Sequence, residues 1–308
     1  MKTPARVAPD RLRKILEDEE ACLTIFCKWR WPCGFVCPRC GALEGRRIAQ
    51  RPAWRCVRCN HHARVTAGTA LHRSRLPLST WLHALIFVGD RKQSISALQL
   101  QNDLGIGCHR TAFKMLHIIR DVMDDLAPLR RGVIELAVRA IGPVDARAPV
   151  DADGTIIGIA VERLEVLDEE SPLPRIGRAK LGIFRTGTSW VDVRRALIPN
   201  IPAFPADPPI TRIIHRNFVD WIRGTFHGIS AKYLPAYARE FVFRFNHRRH
   251  ASIIPALLGK RLMCPTTRRR AALRNPRPLP APLPPPVVVE PEDPDDQDDS
   301  GDNEEEPD

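Results

Sequence analysis

No stretch of this 308-residue chain approaches the roughly 18 uninterrupted apolar residues needed to cross a bilayer. The start, Met1 to Lys14, is polar and basic and has no apolar leader segment. These absences exclude a membrane-spanning helix and lead to the expectation of a cytoplasmic protein. Internal repeats are lacking as well. Acidic residues are scarce except at one end: the last nineteen residues, Glu290 to Asp308, hold twelve of the 36 acids and no Lys or Arg. The 289 residues before them therefore carry 47 basic side chains against 24 acidic ones. A body that basic favours a polyanionic partner, because each Lys or Arg laid on a phosphate releases condensed counterions. A basic surface without a partner is the alternative that charge alone leaves open.

What is present divides by composition. Residues 10–70 read as an N-terminal helix (Leu12, Ile15, Leu16, Cys22, Leu23, Phe26) running into a segment rich in Cys, Gly and Arg. Residues 77–131 read as helical and residues 132–263 as mixed, with β-branched alternation in GTIIGIAVERLEVL and AKLGIF. Residues 271–308 are proline-rich and then acidic, and cannot bury enough apolar surface to offset their ordering entropy, so a disordered tail is expected. That tail is either simply solvated or an internal competitor for the basic body's partner. The fold class expected is α+β, in several domains.

The strongest local signal is CPRCGALEGRRIAQRPAWRCVRC. Cys37 and Cys40 stand fifteen residues before Cys56 and Cys59, a structural zinc spacing in which each pair turns two thiolates to one face. In a reducing compartment disulfides explain the pattern less well. Such a closed site has no open position, so the zinc is expected to be structural. Cys33, His61 and His62 lie near it as substitute ligands, whereas Cys22, Cys27, Cys108 and Cys264 read as small buried residues. Arg39, Arg46, Arg47, Arg51, Arg55, Arg58 and Arg64 surround the pairs and suit phosphate contacts, with Arg268 to Arg270 as further candidates.

In PLSTWLHALIFVGDRKQSISALQLQNDLGIGCHRTAFKMLHIIRDVMDDLAP, Ser79 and Ser94 are candidate N-caps for two helices, and a third begins near Cys108. The third places Ala112, Met115, Ile119, Val122, Met123 and Leu126 on one face and Arg110, Lys114 and His117 on the other. Helix, glycine turn and basic helix together are the pattern of a helix-turn-helix that enters a major groove.

These stretches, with EEACLTIFCKWRWPCGFVCPRCG and GTFHGISAKYLPAYAREFVFRFNHRR, resemble bacterial insertion-sequence transposases of the DDE type that carry an N-terminal zinc ribbon. The resemblance covers most of residues 19–131 and again 215–249. It implies a ribonuclease-H-like domain whose acids hold two Mg²⁺ ions for attack on a DNA phosphodiester. The family's first strand, approximately G-x-V-E-V-D-E-T-Y-I-G, falls on GVIELAVRAIG: Gly132, Glu135, Ile141 and Gly142 match, but the Asp position is Ala137 and the next acid is Val138. Glu135 shares the face of Ala137 but stands about 7 Å along the strand, so it does not replace the acid. No counterpart of the second Asp is found among Asp151, Glu162, Asp168, Glu169, Glu170 and Asp192, of which Asp192 alone has a strand-like setting. Asn217 matches an Asn variant of the third position, and the lysine that usually follows is Val219 or Asp220.

The expectation is a DNA-binding, transposase-derived protein with a truncated ribonuclease-H-like domain, no catalytic residues, zinc as structural cofactor, and magnesium only where catalysis survives. Double-stranded DNA is the expected partner, through Arg110, Lys114, His117, Arg39 and Arg58, and self-association is left open. The competing readings are an active transposase with relocated carboxylates and a zinc-ribbon adaptor that binds protein.

Overall fold

The computed structural model of the chain describes residues 9–49, 51–90, 94–124, 129, 133–141, 154–164, 175–199, 209–226 and 229–264. The stretch 271–308, Arg268 to Arg270, Leu126, Gly132, Gly142, Asp151, Asp168, Glu169 and Glu170 lie outside these residues.

The expected N-terminal helix is two helices, α1 (Pro9–Glu17) and α2 (Glu19–Arg30). They part at Asp18, whose extended backbone caps α2 and whose carboxylate accepts the N–H of Glu20 at 2.9 Å. A small antiparallel sheet follows, β1 (Gly45–Arg47), β2 (Ala53–Cys56) and β3 (His62–Arg64), in that spatial order. Then come α3 (Leu78–Asp90), α4 (Ala97–Asp103) and α5 (His109–Asp121).

Two caps differ from the sequence expectation. The orphan N–H groups of Leu78 and Ser79 are met from α2, by the two carboxylate oxygens of Glu19 at 2.6 and 3.0 Å, so Ser79 sits in the first turn and is not the cap. Ser96, not Ser94, caps α4 by accepting from the N–H of Gln99 at 3.1 Å. Ser94 is buried and turned elsewhere. Phe26, Trp81, Leu85, Met115 and Ile119 share one core, as the helical spacing predicts for α5.

The chain returns to that core at its far end. Phe243, Ile254, Leu258 and Leu262 enter it, the last three from α9 (Ile254–Met263). Gly259 lies so close under the Trp29 ring that any Cβ there would overlap it. The Arg30 guanidinium, at the end of α2, donates to the carbonyls of Met263 and Ala67, each at 3.0 Å. Segmentation at residue 132 therefore misses a contact between the two ends of the chain that no local pattern encodes.

Between them lies a three-stranded antiparallel meander, β4 (Val133–Ile141), β5 (Thr155–Leu164) and β6 (Arg175–Arg185). Alternation sends two sets of side chains to two faces. Leu136, Ala160 and Phe184 meet α6 (Trp190–Leu197) through Val193 and Leu197. On the other face, Ile157, Ile159 and Ala179 meet α7 (Pro209–Phe226) and α8 (Leu234–Asn246) through Ile214, Phe218 and Ala238. Ala137 pairs with Ile159 and so belongs to the α7 face, where it is buried. Asp192 is not on a strand: it stands in the first turn of α6, accepts from the Ser189 hydroxyl at 2.8 Å, and its helix covers the opposite face of the sheet.

The outer edge of β6 is closed by side chains. The amide of Asn246 both accepts from the Ala179 N–H at 2.8 Å and donates to the Ala179 carbonyl at 3.0 Å, and Arg248 donates to the carbonyl of Ile176 at 2.6 Å. The outer edge of β4 pairs with no strand among the described residues.

One buried charge joins the halves. Glu240 of α8, 2% exposed, accepts from the Ser94 hydroxyl at 2.6 Å, from Arg120 of α5 at 2.7 Å and from Arg244 at 2.9 Å. Arg244 reaches on to the Val88 carbonyl of α3 at 2.8 Å, and the Arg120 guanidinium lies 4.0 Å from the Tyr237 ring centroid. Burial pushes the Glu240 carboxyl up, but Arg120 and Arg244 outweigh it and hold it down at about 2. Because the folded value lies below the ordinary 4.5, this carboxylate contributes stability that is complete above pH 4.5 and lost as pH falls toward 2. Glu240→Gln, which leaves two buried guanidinium groups without a counter-charge, is expected to cost about 3 to 5 kcal/mol in urea unfolding and to flatten that acid limb.

Candidate metal centre and basic surface

The two cysteine pairs fold into matching knuckles. After Cys37, the N–H of Gly41 bonds the Cys37 carbonyl at 2.9 Å; after Cys56, the N–H of Asn60 bonds the Cys56 carbonyl at 3.1 Å. Gly41 and Asn60 both take the left-handed conformation, with φ of 73° and 54°, which only Gly and, at modest cost, Asn adopt readily. The turns bring four sulfurs together: Cys37 to Cys59 is 3.6 Å, Cys40 to Cys56 is 3.6 Å, and all four lie within 4.8 Å of one another. A tetrahedron with Zn–S bonds of about 2.3 Å has edges of roughly 3.8 Å, so the sulfurs already stand near ligand positions. Among the described residues no other set of three or more His, Cys, Asp or Glu groups is placed to hold a metal.

Proton affinity in the cluster is uneven. Burial raises the Cys37 thiol, but the N–H groups of Arg39 and Cys40 outweigh it and lower it to about 6. At Cys59 the His61 N–H lowers the value, yet burial and the neighbouring sulfurs push it up to about 12. Four sulfurs this close share protons until a cation takes their place, which is the behaviour of a soft-metal site. Cys33, His61 and His62 stand outside the cluster. Of the other cysteines, Cys22 is buried and Cys27 half-buried, as expected of packing residues, and burial raises their thiols to about 11 and about 12. Cys108 and Cys264 are exposed, against expectation. Both flank helix ends, where the backbone turns outward.

The ribbon has two unlike faces. Arg47 and Trp54 face α2, where Arg47 bonds Glu20 at 2.7 Å and lies 5.4 Å from the Trp54 centroid, with Trp31 edge-on at 5.3 Å. The outward face carries Arg46 directly opposite Arg55, and Arg55 directly opposite His62, all exposed. Arg39 and Arg58 are exposed in the two knuckles.

On α5, Arg110 and Lys114 are exposed, but His117 is not on their face. It is 9% exposed and ringed by Phe113, Tyr233 and Tyr237 at centroid distances of 4.3, 5.0 and 5.9 Å. The reason is α8, which packs along that side of α5. Burial, with Arg120 and Arg239 nearby, lowers the His117 imidazole to about 3, so it is neutral at physiological pH and does not meet a phosphate.

Comparison with known families bears on this geometry directly. A model described as a transposase zinc-ribbon domain matches residues 17–62, and one described as an ISXO2-like transposase domain matches residues 210–246. Two segments of the chain are thus similar to insertion-sequence transposases, the first to their zinc ribbon and the second to their transposase domain. No curated protein and no solved structure matches the chain. The first match takes in α2, both knuckles and the three ribbon strands as far as His62; the second takes in α7 and α8, with Asn217 and Glu240. Ala137 lies between the two matched segments. Among the described residues no helix of this transposase relative is long and apolar enough to cross a membrane.

Sequence reasoning missed Glu240, Arg120 and the cross-strand row of Arg46, Arg55 and His62. Only the i, i+4 spacing of Glu240 and Arg244 carried a local signal. The zinc reading has a direct check. Purified chain is expected to hold about one zinc, Cys56→Ser to abolish it, and chelation to unfold the ribbon while α3 to α5 keep their helical signal, seen by metal analysis and circular dichroism. Zinc release should increase as pH falls, because protons compete for the thiolates.

Proposed function

We propose that this transposase relative binds duplex DNA through its zinc ribbon and α5, and that its β4 to α8 part is a ribonuclease-H-like remnant that no longer holds a magnesium pair. The observation that carries the binding half is the exposed row of Arg46, Arg55 and His62. The like charges of Arg46 and Arg55, placed directly across the sheet, repel at a Cβ separation of about 5 Å, a cost that an anion lying over the row reverses. Phosphates meet that description, and the row continues to Arg39 and Arg58 at the knuckle tips. The α4–α5 corner, turning at Gly105 with φ of 60°, supports a helix-turn-helix that offers Arg110 and Lys114 to the groove. Those contacts position the duplex and carry no base specificity by themselves.

Three features support loss of the metal pair. Ala137 stands at the aspartate position among Ile157, Ile159 and Val161, whose face is packed by α7. Asn217 is exposed on α7, and Glu135 is tied to Arg163 at 3.1 Å. Finally, Arg139 lies on the Ala137 face close enough to Arg212 and His215 to affect their charge, and cations there oppose a second cation. The donor set does not fit two Mg²⁺ ions, so no hydrolytic step follows from it. The antiparallel meander with a helix after its third strand supports the ribonuclease-H-like ancestry.

Affinity for mixed-sequence duplex should fall steeply with salt. The double variant Arg46→Ala, Arg55→Ala is expected to lower the log–log salt slope by about 2, since each phosphate contact contributes about 0.9. No nicking is expected with Mg²⁺ or Mn²⁺. Salt-insensitive binding would favour a protein-binding adaptor, and metal-dependent cleavage abolished by a carboxylate substitution between residues 135 and 192 would establish an active enzyme.

A further inference from the structure

We propose that the cleft between α2 and the ribbon is a docking site for this chain's own proline-rich segment, residues 276–286. The first ground is the cleft itself. It encloses about 300 Å³ and is walled by Trp31, Phe35 and Trp54. Trp31 meets Phe35 at 62° and Trp54 at 73°, with ring centroids 5.1 and 5.3 Å apart. The rings thus form a steep-sided notch and not a flat platform on which a base would stack. All three are half-buried, while Thr24 and Lys28 at the rim are exposed. Glu20 bonds Arg47 at 2.7 Å within the cleft, so a phosphate gains little on this side of the ribbon. Aromatic walls with a polar rim suit an apolar ligand whose polar groups stay at the edge.

The second ground is the ligand that the chain carries. Residues 276–286 read PRPLPAPLPPP, with seven prolines in eleven residues. Such a composition favours the polyproline helix, which is pre-formed, loses little entropy on docking, and is held elsewhere by aromatic-lined grooves. At three residues per turn, Leu279, Pro282 and Pro285 fall along one edge of that helix and Pro280, Leu283 and Pro286 along the next. Two adjoining apolar edges match a notch with steep walls.

The third ground is where the described chain ends. Arg30 donates to the Met263 carbonyl at 3.0 Å, and its guanidinium lies 6.0 Å from the centroid of the Trp31 ring. The end of α9 is therefore beside the cleft. Residues 265–275, eleven in all, lead from there to Pro276 and can span roughly 35 Å. A tether that short holds the segment at an effective concentration on the order of 1 mM, so weak docking suffices.

Charge supplies the fourth ground. After Val287 to Val289 come the twelve acids of residues 290–308. Arg47 in the cleft and Arg46 in the outward row are successive residues of β1, an edge of the ribbon sheet among the described residues. A docked segment can pass its acids around that edge to Arg46 and Arg55, which are of complementary sign. Where the duplex-binding reading holds, tail and duplex compete for this row.

The test is photo-cross-linking within the zinc-loaded full chain without DNA, so its failure leaves the duplex-binding reading standing. With Leu283→p-benzoylphenylalanine, the main intrachain product seen by mass spectrometry should join the probe to peptides holding Thr24 to Phe35 or Arg47 to Trp54. Adding Pro280→Gly, Pro282→Gly and Pro284→Gly together should lower its yield about fivefold, because the pre-formed helix is lost. Thr24→Trp, which fills the cleft from an exposed turn of α2, should lower it to a similar extent. Zinc content and helical signal should stay as in the parent in both cases. Cross-links centred elsewhere or scattered over the surface overturn the inference. So does a cleft product indifferent to both sets of substitutions, or one formed only between copies, which assigns the cleft to a tail from another molecule.

Discussion

Glu240 is the group on which the arrangement of this molecule depends. It is a carboxylate removed from water, and a charge in that position is tolerated only while every lone pair is met. Its partners come from three places in the chain: Ser94 from the start of the α4 segment, Arg120 from the end of α5, and Arg244 from its own helix. Arg244 passes the constraint on to the carbonyl of Val88. Helix α8 can thus sit against α3 and α5 in one rotation and one translation. An apolar contact of equal area would permit several, since dispersion is not directional. Once α8 is placed, α9 follows it into the N-terminal core and closes over Trp29.

Much of this was legible locally and some of it could not be. The four cysteines announce themselves because ligand spacing is a short-range constraint, and the left-handed residue that closes each knuckle is Gly41 in one and Asn60 in the other. The apolar face of α5 follows from period 3.6, and Ala112, Met115 and Ile119 are buried as that period requires. His117 shows where the method ends. Period places it with Arg110 and Lys114, but whether that side meets water depends on α8, whose Tyr233 and Tyr237 lie more than a hundred residues away. Ser94 is the same lesson in a polar residue: it has the chemistry of a cap, and a buried carboxylate 146 residues on has the stronger claim to its hydroxyl. The strands of the β4 sheet were readable from alternation, whereas Ala137 stood out only through the resemblance to the transposase family. Which face Ala137 occupies needed the register with Ile159 and the position of α7.

Charge is sorted in space as well as along the chain. On the ribbon, the face toward α2 neutralises its cation, since Arg47 has both Glu20 and the Trp54 ring. The outward face sets Arg46 directly opposite Arg55, whose guanidinium bonds the side chain of Asn60. Two faces of one three-stranded sheet, a few ångströms apart, thus follow opposite rules. A surface shaped by solubility alone gains nothing from setting arginine opposite arginine, so the contrast argues for an anion on the outer side.

The sheet that carries Ala137 has a mechanical role. Its α7 face is the floor on which α8 rests: Ile157, Ile159 and Ala179 pack under Leu234 and Ala238, and Asn246 pins the end of α8 to the edge of β6. Helix α8 in turn carries Glu240, and Glu240 fixes Arg120 at the end of the helix that presents Arg110 and Lys114. The basic surface therefore leans on the β4 sheet and α8 through one continuous line of contacts. Ala137 takes part in that line as an ordinary buried apolar residue. Loss of the sheet itself would release α8, leave Arg120 buried without its counter-charge, and loosen the helix that presents Arg110 and Lys114.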